Sequence, residues 1–255
     1  NGDGFDDLAV GAPQQDSVGI TPGAAYFFLG GASISTTPAQ TFIGDEDMGQ
    51  HGDAVQFPGD VDGDGFVDIT VGASMHDAGG PVDENQGRVY LYYGSASVDG
   101  TADAAFSGTE VDGAFGFTLP YLGDANREGF AEIAIGAPFM DLNGGSMADY
   151  GRLYIFNGAS GGPSTSPETI DGTAAQSNVG LTARRLDLFP LEGQDICVSA
   201  TGLSTSSFTG NGAVLVYQYD AGGAKQPYTF DSTVRETIEG DENNAFFGNM
   251  DSNPS

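Results

Sequence analysis

The stretch DVDGDGFVDITVGAS, residues 60–74, joins an acidic loop directly to a predicted strand. Carboxylates occupy positions 1, 3, 5 and 9 of its first nine residues, which are Asp60, Asp62, Asp64 and Asp68. Gly65 stands at position 6, where a sharp turn favours a residue without a side chain. The following residues, 69–73, read ITVGA and favour a β-strand. The stretch therefore predicts an ion-binding loop at the end of a strand.

Crowded carboxylates of this kind predict a bound cation, because their charges repel each other unless they are neutralised. We expect Ca²⁺ rather than Mg²⁺, since Ca²⁺ takes more protein oxygens and keeps less water. The main-chain carbonyl of Phe66, at position 7, is a further expected ligand. An EF-hand does not fit, because position 12 is Val71 and both flanks are strands. The alternative to metal binding is a set of solvated acidic turns.

The pattern recurs with a period of about 64 residues. Four related segments are GAAYFFLG, GRVYLYYG, GRLYIFNG and GAVLVYQY, which begin at Gly23, Gly87, Gly151 and Gly212. A second set of glycines follows the same period: Gly44, Gly108, Gly172 and Gly240, each with another glycine eight positions later. In the second repeat, four short strands are predicted near residues 53–58, 67–73, 88–93 and 103–107. Repeated units of four strands are typical of β-propeller blades.

These motifs resemble the FG-GAP repeat of integrin α-subunit propellers and their bacterial relatives. The strand after the acidic loop ends in VGAP at 10–13, VGAS at 71–74 and IGAP at 135–138, and the fourth unit is the weakest, with VSAT at 198–201. The resemblance covers essentially the whole chain. It implies an all-β propeller of four-stranded antiparallel blades with calcium in its loops. We expect about four blades here, as part of a seven-bladed ring.

We expect one segment of repeats, with units at about 1–51, 52–115, 116–179 and 180–247, and with 248–255 starting or closing a further blade. The first unit lacks its opening strand, whereas a matching strand is left over at 245–251. In one interpretation, which we favour, the blades form an open arc of a larger ring. In the other, the terminal strand pairs beside residues 8–12 and closes a four-bladed ring.

The other acidic loops differ in their predicted quality. Residues 1–7 keep four ligand positions, through Asn1, Asp3, the Phe5 carbonyl and Asp7. Residues 124–132 keep five, through Asp124, Asn126, Glu128, the Phe130 carbonyl and Glu132. The longer glutamates and the neighbouring Arg127 are expected to weaken that loop. Residues 187–195 carry Phe189 and Leu191 at positions 3 and 5, so we expect no ion there.

Composition limits the partners and the location. The 255 residues include 36 acidic and 7 basic side chains, a formal net charge of −29. Nucleic acid is therefore not an expected partner, because its phosphates would be repelled. No apolar stretch is long enough for a membrane helix, so no direct membrane insertion is expected in this segment. Bound cations would neutralise part of this charge, and the salt of an extracellular medium would screen the rest. We therefore expect an extracellular or cell-surface location.

Motifs for catalysis are weak. GASGG at 158–162 matches the G-x-S-x-G pattern, but it follows a strand with no predicted helix behind it, so it predicts a turn. His51-Gly52 stands where other repeats have the FG pair, Phe115-Gly116 and Phe247-Gly248, so His51 is expected to pack or to be partly exposed. His76 is expected to be at most a minor ligand. The lone Cys197 lies in DICVSA, which predicts an inert core residue. A pair of carboxyl groups suited to glycoside hydrolysis stays possible, since the distance between two such groups cannot be read from the sequence.

We therefore expect a calcium-binding interaction or adhesion module and not an enzyme. Its partner is expected to be a protein or glycan ligand on a propeller face. The alternative function, from another class, is the accessory or catalytic propeller of a secreted carbohydrate- or lipid-active enzyme.

Overall fold

The computed structural model describes residues 1–17, 20–33, 35–77, 84–142, 148–188, 193–204, 210, 212–220 and 229–239. Its regular elements are the strands β1 (Leu8–Ala12), β2 (Ala24–Phe28), β3 (Gln40–Ile43), β4 (His51–Gln56), β5 (Ile69–Ala73), β6 (Arg88–Tyr92), β7 (Ala104–Ser107), β8 (Tyr121–Gly123), β9 (Glu132–Ala137), β10 (Arg152–Phe156), β11 (Glu168–Asp171), β12 (Ala183–Leu186), β13 (Gly193–Ala200), β14 (Ala213–Asp220) and β15 (Thr229–Glu239). The predicted all-β class is confirmed. No helix found in the described residues has the length and apolar character needed to cross a membrane.

The strands form four antiparallel sheets, each built from consecutive strands. One sheet has the order β1-β2-β3, and the other three are β4-β5-β6-β7, β8-β9-β10-β11 and β12-β13-β14-β15. Such meandering four-stranded units are propeller blades, which confirms the predicted architecture. We number the sheets blades 1 to 4 in chain order. Blade 1 has three strands because β1 is the equivalent of β5, as the repeat alignment predicts.

The hydrophobic core lies between neighbouring blades. Val89 and Leu91 of β6 share a buried cluster with Ile133 and Ile135 of β9, and each of the four side chains is at most 1% exposed. Similar clusters join blade 1 to blade 2 and blade 3 to blade 4. β5 is buried at every position, which explains why its sequence is continuously apolar or small instead of alternating. Blades 2 and 3 are therefore packed on both faces, against the blade before and the blade after them.

β1 differs from β5 in its exposure. Leu8 and Val10 are 45% and 43% exposed, whereas their equivalents Ile69 and Val71 are 1% and 0% exposed. β5 pairs with β4, and β1 has no such partner within the described part of the chain. The strand predicted at 245–251 lies outside the described residues. The choice between an open arc and a closed ring, the seven-bladed ring and the repeat boundaries therefore stay predictions.

The glycine that precedes the third strand of a blade is explained by a close backbone approach. Gly87 has a φ of +85°, and a Cβ built there would lie 2.1 Å from the carbonyl oxygen of Phe115. At Gly23 and Gly151 the nearest main-chain oxygen would lie 2.3 Å from such a Cβ. The backbone of the FG pair packs against this glycine, and in the first three repeats the two glycine motifs are 21 positions apart.

Two smaller predictions are also confirmed. Cys197 is 2% exposed within β13, and burial raises the pKa of its thiol to about 11. The GASGG segment is a turn, in which the N–H of Gly162 donates to the carbonyl of Ala159 at 2.9 Å. No helix follows that turn in the described residues, so the geometry of a nucleophile elbow is absent there.

His51 takes the place of the FG phenylalanine and packs as that residue does. It is 1% exposed and meets the Tyr90 ring edge-on at 4.9 Å, as Phe115 meets Tyr154 at 5.0 Å. Neither ring nitrogen of His51 has a hydrogen-bond partner among the described residues. Burial, opposed by the charge of Asp45, lowers the pKa of His51 to about 4. The ring is therefore neutral near pH 7, and the packing interpretation is confirmed.

We expect His51→Phe to raise the free energy of unfolding by about 1–3 kcal/mol at pH 7, because it removes two unpartnered buried nitrogens. The gain should grow by about 2 kcal/mol at pH 5. The unfolded chain takes up a proton near pH 6.5 and the folded protein only at about pH 4, so acidification between these values destabilises the wild type. Urea unfolding at both pH values measures the difference. Equal pH dependence in the two proteins would contradict this prediction.

Candidate metal centre

The acidic loops join the first and second strands of a blade. The Asp60–Asp68 loop lies between β4 and β5, and residues 124–132 occupy the same place between β8 and β9. Because these strands are antiparallel, the FG and GAP motifs lie at the opposite end of each blade. The buried second strand anchors one end of each loop on a rigid element.

Three carboxylates converge in the blade 2 loop. Oxygens of Asp60, Asp62 and Asp68 lie within 4.8 Å of one another. Within the described ranges, this is the one group of three or more His, Cys, Asp or Glu side chains close enough to share a metal ion. Asp64 is exposed at the rim of the loop and is not part of that group. The structure thus brings together three of the four predicted side-chain ligands.

Main-chain N–H groups shape this loop. Asp60 accepts hydrogen bonds from the N–H of Gly63 at 2.7 Å and from that of Gly65 at 2.8 Å. Asp64 accepts from the N–H of Phe66 at 2.8 Å. Gly63 and Gly65 both have a positive φ, a backbone conformation that other residues rarely adopt. This conformation lets their N–H groups point into the loop. The glycines of the motif therefore orient the carboxylates.

The electrostatics of the loop favour a positive partner. Asp68 is 0% exposed, and burial raises the pKa of its carboxyl to about 7 although the N–H groups of Gly94 and Val61 donate to it. Burial, together with the charges of neighbouring aspartates, also raises the pKa of Asp62. Both shifts mean that negative charge is costly here until a cation offsets it.

The blade 3 loop leaves buried oxygens without partners. Glu132 is 0% exposed; its Oε2 accepts the N–H of Ala125 at 2.5 Å, and its Oε1 has no hydrogen-bond partner in the described residues. Asp124 Oδ1 is also buried without a hydrogen-bond partner among the described residues. Burial raises the pKa of Glu132 to about 8. Asn126 and Glu128 bond each other through the side-chain amide at 2.9 Å. Glu128 thus has another partner, while Glu132 and Asp124 have oxygens available for an ion.

The loop of residues 1–7 is more open. The N–H of Asp3 donates to the side-chain oxygen of Asn1 at 3.0 Å. Asp3 is exposed and accepts the N–H of Phe5 at 2.9 Å, a bond that lowers the pKa of Asp3. Phe5 is 55% exposed. The predicted ligands are present, but they do not form a converged group of acids as in blade 2.

The blade 4 loop is described only in part. Asp195 is 0% exposed, and its Oδ2 accepts the N–H of Leu188 at 2.7 Å. Phe189 and Leu191, on which the predicted loss of the ion depends, lie outside the described residues. That loss stays a prediction.

The structure adds a donor that sequence reasoning missed. The N–H of Gly94 donates to Asp68 Oδ1 at 2.8 Å, and the N–H of Gly30 donates to Asp7 Oδ1 at the same distance. The same position is a glycine in three successive repeats, Gly30, Gly94 and Gly158, and this recurrence could have indicated the donor from the sequence. The extra methylene of Glu132 displaces its carboxylate relative to aspartate, and its Oε1 has no such donor among the described residues.

His76 contacts acidic side chains at the junction between blades 1 and 2. Its Nδ1 lies 3.1 Å from Glu46 Oε2 and its Nε2 lies 3.2 Å from Asp45 Oδ1, both on the preceding blade. Arg88 Nη1 lies 3.3 Å from the same Nε2. The hydrogen bond from His76, followed by that from Tyr90, holds the pKa of Asp45 well below its usual range. His76 therefore links blades 1 and 2, and it belongs to no metal-binding group in the part of the chain that is described.

Comparison with known proteins identifies the repeats. The FG-GAP repeat family model matches residues 1–28 and 57–92, which contain the first two acidic loops and the strands that follow them. This chain contains FG-GAP repeats. Each matched region runs from an acidic loop through the two strands that follow it, β1 and β2 in blade 1 and β5 and β6 in blade 2.

Integrin alpha subunits are homologues of this FG-GAP segment. Integrin alpha-5 of Xenopus laevis is 34% identical over 173 residues, 66% of this chain and 15% of that protein. Integrin alpha-8 of Homo sapiens is 32% identical over 221 residues, 82% of this chain and 19% of that protein. Integrin alpha-E of Mus musculus is 36% identical over 131 residues, 48% of this chain and 10% of that protein. The FG-GAP segment thus spans less than a fifth of each of these relatives.

Proposed function

We propose that this FG-GAP β-propeller segment binds calcium and works as an extracellular or cell-surface interaction and adhesion module. The observation that carries the proposal is the convergence of Asp60, Asp62 and Asp68 inside an FG-GAP repeat. Homology to integrin alpha subunits supports the adhesion role. The net charge of −29 disfavours nucleic acid as a partner.

Calcium fits the donors of these loops, which offer only oxygen to a hard cation. The proposed ligands are Asp60, Asp62, Asp64, the Phe66 carbonyl and Asp68 in blade 2; Asp124, Asn126, Glu128, the Phe130 carbonyl and Glu132 in blade 3; and Asn1, Asp3, the Phe5 carbonyl and Asp7 in blade 1. The unpartnered buried oxygen of Glu132 supports an ion in blade 3, because buried polar atoms are rarely left unsatisfied. In blade 2, an ion would offset the free-energy cost of burying the negative charge of Asp68.

The partner is proposed to bind at the end of the blades opposite the metal loops. Phe117 follows the FG pair and Phe139 follows the GAP motif, and their rings meet edge-on at 5.2 Å. They are 40% and 38% exposed, and the equivalent residue of blade 2, Met75, is 44% exposed. Exposed aromatic and methionine side chains of this kind are enriched where proteins dock. The metal loops then hold the blades that present this face.

The test is a binding screen of the full chain, immobilised on beads, against extracellular-matrix proteins and glycans. We expect at least one ligand to be retained in roughly 1 mM Ca²⁺ and released by EGTA. Phe117→Ser with Phe139→Ser should weaken that binding by about tenfold or more, because two contact aromatics are lost. Tyr121→Ser is the control, since Tyr121 is an aromatic residue of β8 that is 52% exposed and belongs neither to this face nor to a metal loop. Calcium-independent binding, or turnover of glycoside or lipid-ester substrates by the chain, would contradict the proposal.

A further inference from the structure

The phenylalanine at position 7 of one acidic loop packs on the glycine at position 4 of the loop before it. A Cβ built on Gly63 would lie 2.4 Å from Cε1 of Phe130, so that ring rests directly on the Gly63 backbone. The same contact joins Gly2 and Phe66, with the corresponding distance at 3.1 Å. Phe66 and Phe130 are partly buried, whereas Phe5 is 55% exposed. Glycine at position 4 is therefore needed for the next blade's ring as well as for its own turn.

Main-chain hydrogen bonds reinforce the contact between the loops of blades 2 and 3. The N–H of Ala131, next to Phe130, donates to the carbonyl of Asp60 at 2.7 Å. The N–H of Ala159 donates to the carbonyl of Val61 at 3.0 Å. A Cβ on Gly59 would meet that of Ala131 at 2.6 Å. The start of one loop and the end of the next are thus one continuous packed unit.

The next junction has lost both members of the pair. Position 4 of the blade 3 loop is Arg127, and position 7 of the blade 4 loop is Gly193. Arg185 of blade 4 instead donates to the carbonyl of Asp124 at 2.8 Å. Glycine and phenylalanine are thus both present at two junctions and both replaced at the third, which is expected if the two residues act together.

The contact reaches groups that would hold the ions. Gly63 lies between Asp62 and Asp64, and its N–H donates to Asp60. Phe130 provides the carbonyl of position 7 and lies two residues before Glu132. An ion that orders the blade 3 loop would also fix the Phe130 ring, so ordering the blade 2 loop would then cost less conformational entropy.

We propose that calcium binding in the blade 2 and blade 3 loops is positively coupled through the Phe130 ring on Gly63. This coupling rests on the proposed calcium sites and adds a regulatory property to them. It makes the response to calcium steeper than independent loops would give. No coupling of this kind is expected between the blade 3 and blade 4 loops.

Calcium titration followed by NMR separates the two loops. The N–H of Gly65 donates to Asp60 at 2.8 Å and that of Gly129 donates to Asp124 at 3.0 Å, so their amide signals report blades 2 and 3 individually. Emptying the blade 3 loop with Glu132→Gln should raise the midpoint of the Gly65 signal by about fivefold, the low end of typical coupling. Asp124→Asn serves the same purpose if Glu132→Gln does not fold.

Phe130→Ala completes a double-mutant cycle, because it removes the ring and keeps the position 7 carbonyl. In that variant, adding Glu132→Gln should shift the Gly65 midpoint by less than about twofold. Tyr121→Ala is the control, since it removes an aromatic ring of blade 3 that is 52% exposed, and it should leave the fivefold effect intact. An unchanged fivefold effect in Phe130→Ala, or independent titration in wild type, would overturn the coupling alone. A Gly65 signal that ignores calcium would overturn the calcium sites as well.

Discussion

Gly87→Ala is expected to lower the free energy of unfolding by about 3–5 kcal/mol. Gly87 has a φ of +85°, a conformation that costs an L residue about 1–2 kcal/mol. The added Cβ would also lie 2.1 Å from the Phe115 carbonyl oxygen and 2.5 Å from its nitrogen, so the FG element must move away. Because that element covers the start of β6, the movement should loosen the contact between blades 2 and 3. Chemical unfolding of both proteins in calcium measures the loss.

Gly161→Ala is the matched control for this substitution. Gly161 has nearly the same φ, +88°, but a Cβ there would meet nothing within 4 Å. It should therefore show only the conformational cost, about 1–2 kcal/mol. Equal losses in the two variants would mean that the close approach of the FG element does not constrain position 87.

Calcium is expected to raise the melting temperature of the chain by roughly 5–10 °C relative to EGTA. A site filled at 100 times its Kd contributes about 2.7 kcal/mol. For a chain of 255 residues, each kcal/mol corresponds to about 2–4 °C. The repulsion among Asp60, Asp62 and Asp68 is the source of the gain, because the ion neutralises it. Scanning calorimetry in the two buffers gives the shift, and superimposable melting curves would refute calcium binding.

Asp64→Ala should remove a substantial part of that shift, because it deletes a proposed ligand. Asp99→Ala is a close control: Asp64 accepts the N–H of the residue two positions on at 2.8 Å, and Asp99 does the same for Thr101. Each variant loses one charge and one local hydrogen bond, but only one changes an acidic metal loop. A calcium response that is equally reduced in both variants would assign the effect to general charge.

The blades and the composition of the metal loops could be predicted because each depends on local pattern. Strand residues of one blade recur in register with the next, so β4 to β7 fall within a few residues of the predicted segments. Asp60, Asp62 and Asp68 lie in one short loop, so their convergence needs little information from elsewhere. The packing of His51 follows in the same way from its place in the FG pair.

Other features depend on neighbouring blades and had no complete local signal. The donors to Asp68 and Asp7 come from glycines more than twenty residues away along the chain. The unpartnered oxygen of Glu132 depends on which N–H groups reach it in three dimensions. In both cases one oxygen of the carboxylate is bonded within its own loop, and the surroundings of the other oxygen depend on distant parts of the chain.

Local sequence patterns were enough to predict the strands, the repeat and the oxygen donors of each acidic loop, because strand propensity and donor type depend on neighbouring residues. Contacts between blades, which these patterns do not contain, set which loops touch, which carboxylates are buried and which glycines pack against a side chain of another blade. Phe130 and Gly63 are 67 positions apart. Their contact exists because packing of apolar strands brings adjacent blades together, and that packing then sets the surroundings of each acidic loop.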